Sequence, residues 1–404
     1  MATPAEVAGR EFDEAPRARS AAVVQPEIPA PYQTDVVVEP ARSAADRDRF
    51  VKFQWEVYKD DPHWVPPLFM ERRDFVDPAR HPFFHHGHVE LFLAKRYGQV
   101  VGRIAAIDDP RYNEFHGTKV GHFGLFECVD DPEVAAALLD AAAAWLRARG
   151  LTELDGPIDY SSNYQIGLLV DGFDQDPYVM MPYNPRYYEG LLTGAGLHKV
   201  KDLWAFSLDV TKDPDPKVAR IADKIRLKEG ITVRPVNMKD FDGEVARIKT
   251  VYNAAWEKNW GFVPFTDEEF AHLAKDMKAI VKPELLLLAE VKGEPVAFAM
   301  TLPDANRVLK RVGGRLFPTG LFKALYWGNK IDRARLITLG IVEGYRRRGL
   351  DAILTLETLR AGRRQGYQTG EISWTLEDNH LINRAIQSFG GVRSKTYRVY
   401  GRPL

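Results

Sequence analysis

The chain has 404 residues, 45% of them hydrophobic and 11% aromatic, enough to fill the cores of two ordinary domains and too apolar for a disordered chain. Its 55 Lys and Arg offset 56 Asp and Glu to a net charge of −1, so no overall basicity points to nucleic acid. The single Cys128 excludes a disulfide within the chain, and no apolar run approaches the ~20 residues of a membrane span.

Residues 1–34 are rich in Ala, Pro, Glu and Arg, with Glu6, Arg10, Glu11, Asp13 and Glu14 early and no apolar signal region. They read as a disordered leader, and the expected location is cytoplasmic, with peripheral contact at the inner membrane left open. From residue 35 one pattern is stated twice. An aromatic-rich helix precedes His63-Trp-Val-Pro-Pro67, as another precedes Gly261-Phe-Val-Pro-Phe265. Val89–Ala105 and Glu284–Met300 each read as two strands joined at a glycine turn, Gly98 and Gly293. A helix over Pro132–Arg149 closes at Gly150, and one over Ala352–Gln365 closes at Gly366. Tyr188–Gly196 echoes Ile382–Gly391.

The hairpin glycines and the late glycines Gly196 and Gly391 are both 195 residues apart, whereas Gly150 and Gly366 are 216 apart. A repeat with one insertion in each half, near Ser161–Met181 and Asn306–Arg333, accounts for both spacings. The expected architecture is therefore two tandem α/β domains, 35–212 and 230–404, with a linker over 213–229 that begins at Thr211–Asp215 and holds a helix over Pro216–Lys228. The second domain carries the apolar insertion 306–333.

The halves differ at one turn. In the second, Ile341-Val-Glu-Gly-Tyr-Arg-Arg-Arg-Gly-Leu-Asp351 takes a strand into a helix. Free N–H groups at such a helix mouth bind anions, and Arg346, Arg347 and Arg348 suit a pyrophosphate. In the first, Phe126-Glu-Cys-Val-Asp-Asp-Pro132 makes Asp131 an N-cap with Pro132 at the first helical position, and its carboxylates repel phosphate.

The basic turn lacks both GxxxxGK[ST] and GxGxxG. It resembles the R-x-x-G-x-G/A loop of the GNAT superfamily of N-acyltransferases, with Gly349 in place, Leu350 following, and Asp351 where Gly or Ala is usual. Asn379 and Gly390 match the strand–Asn–helix element that follows the loop in that family. The resemblance implies two tandem GNAT-like domains with mixed, strongly twisted sheets, the first copy degenerate. It implies an enzyme that moves an acyl group from acyl-CoA, as co-substrate, to an amine. N–H groups near Ile341 and Val342 would steady the oxyanion, and Arg346–Asp351 with Asn379 would hold the donor. Gly340 would permit a bulge or close approach in that strand. Ile386 stands where the family carries a tyrosine acid, so any acid comes from elsewhere.

Alternation places Glu371, Ser373, Thr375 and Glu377 on one strand face, and Glu377 at the strand's C-terminal end is the expected base. Tyr397 or Tyr400 is the expected acid, against packing on an edge strand. His81, His85, His86 and His88 crowd one loop, but Pro82 and Gly87 prevent helical alignment, so no metal is expected and one imidazole at most lines the pocket. Cys128 reads as a small buried hydrophobe. Tyr252, Trp256 and Trp260 make an i+4 stripe, which with Phe262 reads as core or as a wall for an apolar acceptor. In the insertion, Phe322, Tyr326 and Trp327 with Arg315, Lys323 and Lys330 suit either a lid or interfacial segment over lipid, or a helix sealing the domain junction.

The layout further resembles the bacterial ceramide synthase-like branch, on Tyr252–Phe265, Ser373–Asn379 and Lys395–Tyr400. That implies a long-chain acyl group delivered to a sphingoid base to give a (3-oxo)ceramide. The rivals are a small polar amine or peptide acceptor, a non-catalytic acyl-CoA-binding module, and transfer from aminoacyl-tRNA, which the near-neutral charge disfavours. Acyl carrier protein remains the alternative donor, and no nucleic-acid partner is expected.

Overall fold

The computed structural model describes residues 35–257 and 259–404; the leader over 1–34 lies outside them. The first half runs β1 (Val36–Pro40), α1 (Ala44–Val57), α2 (Phe69–Phe75), β2 (His88–Arg96), β3 (Gln99–Asp108), α3 (Pro110–His116), β4 (Val120–Cys128), α4 (Pro132–Arg147), β5 (Glu153–Gly156), β6 (Leu168–Asp171), α5 (Tyr188–Gly194) and β7 (His198–Asp209). A connecting helix α6 (Pro216–Glu229) leads to β8 (Ile231–Pro235), α7 (Phe241–Trp256), α8 (Asp267–Met277), β9 (Leu286–Val291) and β10 (Glu294–Pro303). The insertion forms α9 (Asn306–Val312) and α10 (Gly320–Gly328). The chain ends with β11 (Arg333–Ile341), α11 (Leu350–Arg364), β12 (Thr369–Leu376), α12 (His380–Ser388) and β13 (Val392–Pro403).

Local chemistry explains the helix ends. Asp131 accepts a hydrogen bond from the Glu133 N–H with Pro132 at the first helical position, and Val134, Leu138, Leu139, Ala142 and Leu146 bury one stripe of α4. Asp215 and Pro216 start α6 in the same way, and Gly230, with φ of 64°, ends it. Thr266 and Glu269 close a reciprocal capping box on α8.

Thirteen strands form one sheet in the order β1-β2-β3-β4-β5-β13-β7-β12-β11-β10-β9-β8, with β6 beside β13. The order is palindromic: each strand of one half faces its counterpart across an axis between β13 and β7. The last strand of each half crosses that axis. β13 pairs with β5 over Tyr400–Pro403 and with β7 over Val392–Gly401, while β7 pairs with β12 over Leu203–Asp209. The C-terminal strand is thus central, not an edge strand. Tyr400 donates to Glu189 on α5 of the other half.

Alternation sorts the second half's layers. Leu287, Ala289, Ala297 and Ala299 pack under α11 with Ile353 and Leu354. Leu286, Leu288 and Phe298 pack under α7 with Ile248 and Val251. α7 and α11 therefore cover opposite faces of one sheet. Cys128 is fully buried, and that burial pushes its thiol pKa up, as a small core side chain requires.

Candidate active site at the parting of two strands

β11 and β12 pair in parallel only from Arg333–Leu336 against Thr369–Ile372, then separate, so a gap opens in the sheet. Beside the gap, the β10–β11 register slips between Met300 and Thr301, which leaves Ile337 as a bulged residue. The Val342 N–H donates to Val296 O at 3.0 Å. By alternation, Gly340 also turns its N–H to β10, while Ile341 and Leu339 turn theirs to the gap. Val342 is therefore not the free donor the sequence suggested; its N–H belongs to the ladder, and Leu339 takes its place. Gly340 serves close approach, because a Cβ there would lie 2.2 Å from the Trp256 ring.

A cavity of about 290 Å³ occupies the gap and is lined from both faces. Asp351 and Thr355 of α11, Asn379, and Ile382 and Ile386 of α12 line one end. Ile248, Tyr252 and Trp256 of α7, with Phe270 and Met277 of α8, line the other. Trp260 and Phe262 join this wall, although α7 ends at Trp256 and the i+4 stripe stops there. Ile386, at the position of the family's tyrosine, presents an apolar side chain. Phe322, Tyr326 and Trp327 do not line the cavity; they sit on α10, where Phe322 and Tyr326 are largely exposed.

At the loop, α11 begins at Gly349 with φ of 79° and no side-chain cap, which leaves its first N–H groups for a ligand. Arg347 and Arg348 are exposed beside it. Arg346 instead donates to Ile341 O at 3.2 Å and to Ala255 O at 2.6 Å, tying β11 to the end of α7. Leu350 is buried in the core under α11. Asp351 faces the cavity, and Asn379 caps α12 through the Ile382 N–H at 3.4 Å. The helix mouth and two exposed guanidiniums suit a phosphate group, with the Asp351 carboxylate opposing it.

The acid–base candidates sit elsewhere than expected. Glu377 lies outside the cavity lining: it accepts from Lys199 Nζ at 2.7 Å and from the Asp202 N–H at 3.0 Å, both on β7. The reason is a slip in the β12–β7 register between Ile372 and Thr375, which breaks the alternation that put Glu377 beside Ser373. Tyr397 is fully buried outside the lining, its hydroxyl pKa pushed up by burial and by neighbouring Glu371. Ser373, at the apex of the gap, does line the cavity. Its Oγ donates to buried Glu371 at 2.6 Å and accepts from Arg335 Nε at 2.8 Å, and Lys395 Nζ stands 3.6 Å from Glu371. Glu371 and Ser373, two residues apart on one face of β12, were the signal for this network.

None of the four crowded histidines lines the cavity. His86 Nε2 lies 3.1 Å from Glu269 and His85 bonds Glu268 at 2.6 Å, so this loop ties the first half to α8. His81 is buried among aromatic rings, and burial pushes its pKa down to about 3. Among the described residues no group of three or more His, Cys, Asp or Glu could hold a metal. In the first half the matching gap between β4 and β5 is filled: Asp159 accepts from the Leu125 N–H, and Glu127 accepts from Tyr58 and Tyr188.

The chain is 37% identical over 378 residues to the bacterial ceramide synthase of Caulobacter vibrioides, covering 92% of this chain and 98% of that protein. It belongs to the bacterial ceramide synthase family, on a tandem GNAT fold. Protein YghO of Escherichia coli is 35% identical over 369 residues, covering 89% of this chain and 93% of YghO. A tandem GNAT protein from the clavulanic acid biosynthesis pathway superposes with a TM-score of 0.54 at 12% identity, covering 91% of this chain and 98% of that one. A glucosamine N-acetyltransferase region of a fungal multi-domain β-N-acetylglucosaminidase gives 0.53 at 14% identity, over 91% of this chain and 38% of that one. No family model matches the chain. This family member is an N-acyltransferase.

Proposed function

We propose that this protein transfers a long-chain acyl group from acyl-CoA to the amine of a sphingoid base, giving a (3-oxo)ceramide. The observation that carries this reading is the cavity at the β11–β12 gap, polar at its apex and apolar on the α7–α8 side. Ile248, Tyr252, Trp256, Phe270 and Met277 suit an alkyl chain and offer a small polar amine little to bond. The name of the Caulobacter relative supports the same substrate class.

The chemistry follows from the apex. The N–H groups of Leu339 and Ile341 stabilise the oxyanion as the amine nitrogen bonds the thioester carbon. Ser373 Oγ takes the amine proton and passes its own to Glu371. When the C–S bond breaks, the relay returns that proton to the departing thiolate, so neither Glu377 nor Tyr397 is needed. Asp351 favours a second reading of the donor. A carboxylate at the helix mouth opposes a pyrophosphate more than the single phosphate of a carrier protein's phosphopantetheine arm.

The test is thiol release from palmitoyl-CoA with and without 3-oxosphinganine, for the native protein and for Ser373→Ala. The expected outcome is release only with the sphingoid base, with kcat lowered at least about 100-fold in the variant. Release with short polar amines alone would overturn the lipid reading, and an unchanged kcat in Ser373→Ala would remove the relay. Turnover only from an acyl carrier protein thioester would replace the donor.

A further inference from the structure

We infer that the α9–α10 insertion is a docking surface for an anionic lipid bilayer. The 25 residues from Asn306 to Lys330 hold six basic side chains and no acidic one, in a chain whose net charge is −1. Two of the six are paired with carboxylates: Arg307 with Asp332, and Lys310 with Asp176 at 2.6 Å. The other four, Arg311, Arg315, Lys323 and Lys330, are exposed. They surround an apolar face that no described residue covers. Phe317 is 74% exposed, Leu321 42%, Phe322 74%, Leu325 65% and Tyr326 59%. On α10, Leu321, Phe322, Leu325 and Tyr326 fall on one side of the helix. The opposite side faces the protein, with Gly320 buried and Trp327 under the Arg311 guanidinium at 3.9 Å.

This helix turns its apolar side outward, against the usual rule for a helix on a folded surface. Lys330 Nζ bonds the Tyr326 hydroxyl at 2.6 Å, an amphipathic pairing suited to a headgroup layer. Charge decides the occupant: a basic ring around aromatic and leucine side chains matches an anionic bilayer and would repel a second copy of itself. The root of the insertion also adjoins the cavity. Asn306 bonds Pro177 O at 2.9 Å and Asp304 accepts from the Val179 N–H, and the same segment continues into Met180 and Met181 of the cavity wall. A docked α10 therefore holds this wall next to the source of a lipid substrate.

The experiment is flotation of the full-length protein with vesicles of phosphatidylglycerol and phosphatidylethanolamine, and with phosphatidylcholine alone. The native protein is expected to float with the anionic vesicles at least tenfold more than with the zwitterionic ones. Phe317→Ser/Leu321→Ser/Leu325→Ser should lower the partition at least tenfold. Arg315→Glu/Lys323→Glu should lower it by about fivefold per residue, with thermal midpoints unchanged. A native protein that stays in the aqueous layer overturns the inference, as does a serine variant that floats like the native one. A dimer in sedimentation velocity that the serine variant dissociates, without flotation of either, would assign the face to a second copy. Because the readout is binding, these outcomes stand apart from success or failure of the acyl-transfer assay.

Discussion

In the proposed reaction Asp351 tunes the donor site without touching the chemistry. It stands in the first turn of α11, where a carboxylate favours the helix dipole, yet it lines the cavity beside the helix mouth proposed to hold the donor's phosphates. Removing its charge should lower the KM for acyl-CoA by about three- to tenfold with kcat unchanged, and cost up to ~1 kcal/mol of stability through the lost dipole interaction. Steady-state kinetics and thermal melts of Asp351→Asn test both; an unchanged or raised KM would mean that no pyrophosphate lies over this helix. That Asp351 departs from the family loop was readable in the sequence, but the direction of its side chain was not. Glu377 gives the opposite lesson. Its place at the end of β12 was legible, whereas its partners were not, because a two-residue alternation rule assumes a strand without a register slip.

Strand β11 borders the cavity, and its shape depends on two departures from a regular strand. The bulge at Ile337 shifts the β10–β11 register, and Gly340 lets the Trp256 ring approach the backbone closely. A methyl group at Gly340 would meet the Trp256 ring at 2.2 Å, so Gly340→Ala should destabilise the protein by about 1–3 kcal/mol. Since Trp256 lines the cavity, the same variant should raise the KM for long-chain donors more than for short ones. Adding Trp256→Phe, which shrinks the ring, should recover most of the lost stability; failure to recover would place the strain elsewhere. A glycine suited to close approach was readable from its position before the loop. The partner ring, 84 residues earlier on α7, was not. The aromatic insertion divides similarly: its composition left a lid, an interfacial segment and a sealing helix open; Asn306, Lys310 and Gly314 do contact the first half, while Phe322 and Tyr326 stay exposed on α10.

At the scale of the molecule, the repeat was legible and its interlocking was not. Repeated glycines and hydrophobic runs are local patterns, so two similar halves could be read from their spacing. Strand partnership is non-local: the alternation along Val392–Pro403 is the same whether it joins its own half or the other. β7 and β13 are both 12 residues long, and each lies against strands of the opposite half. Neither half can then open without stripping a strand from the middle of the other's sheet. Calorimetry should accordingly give one endotherm whose calorimetric and van't Hoff enthalpies agree, where two independently folded domains would give two. A fragment of residues 230–404 should aggregate, because it leaves β12 with a bare edge and β13 without β5 or β7. Two resolved transitions, or a soluble and cooperatively folded fragment, would mean that each half can close its sheet with its own last strand.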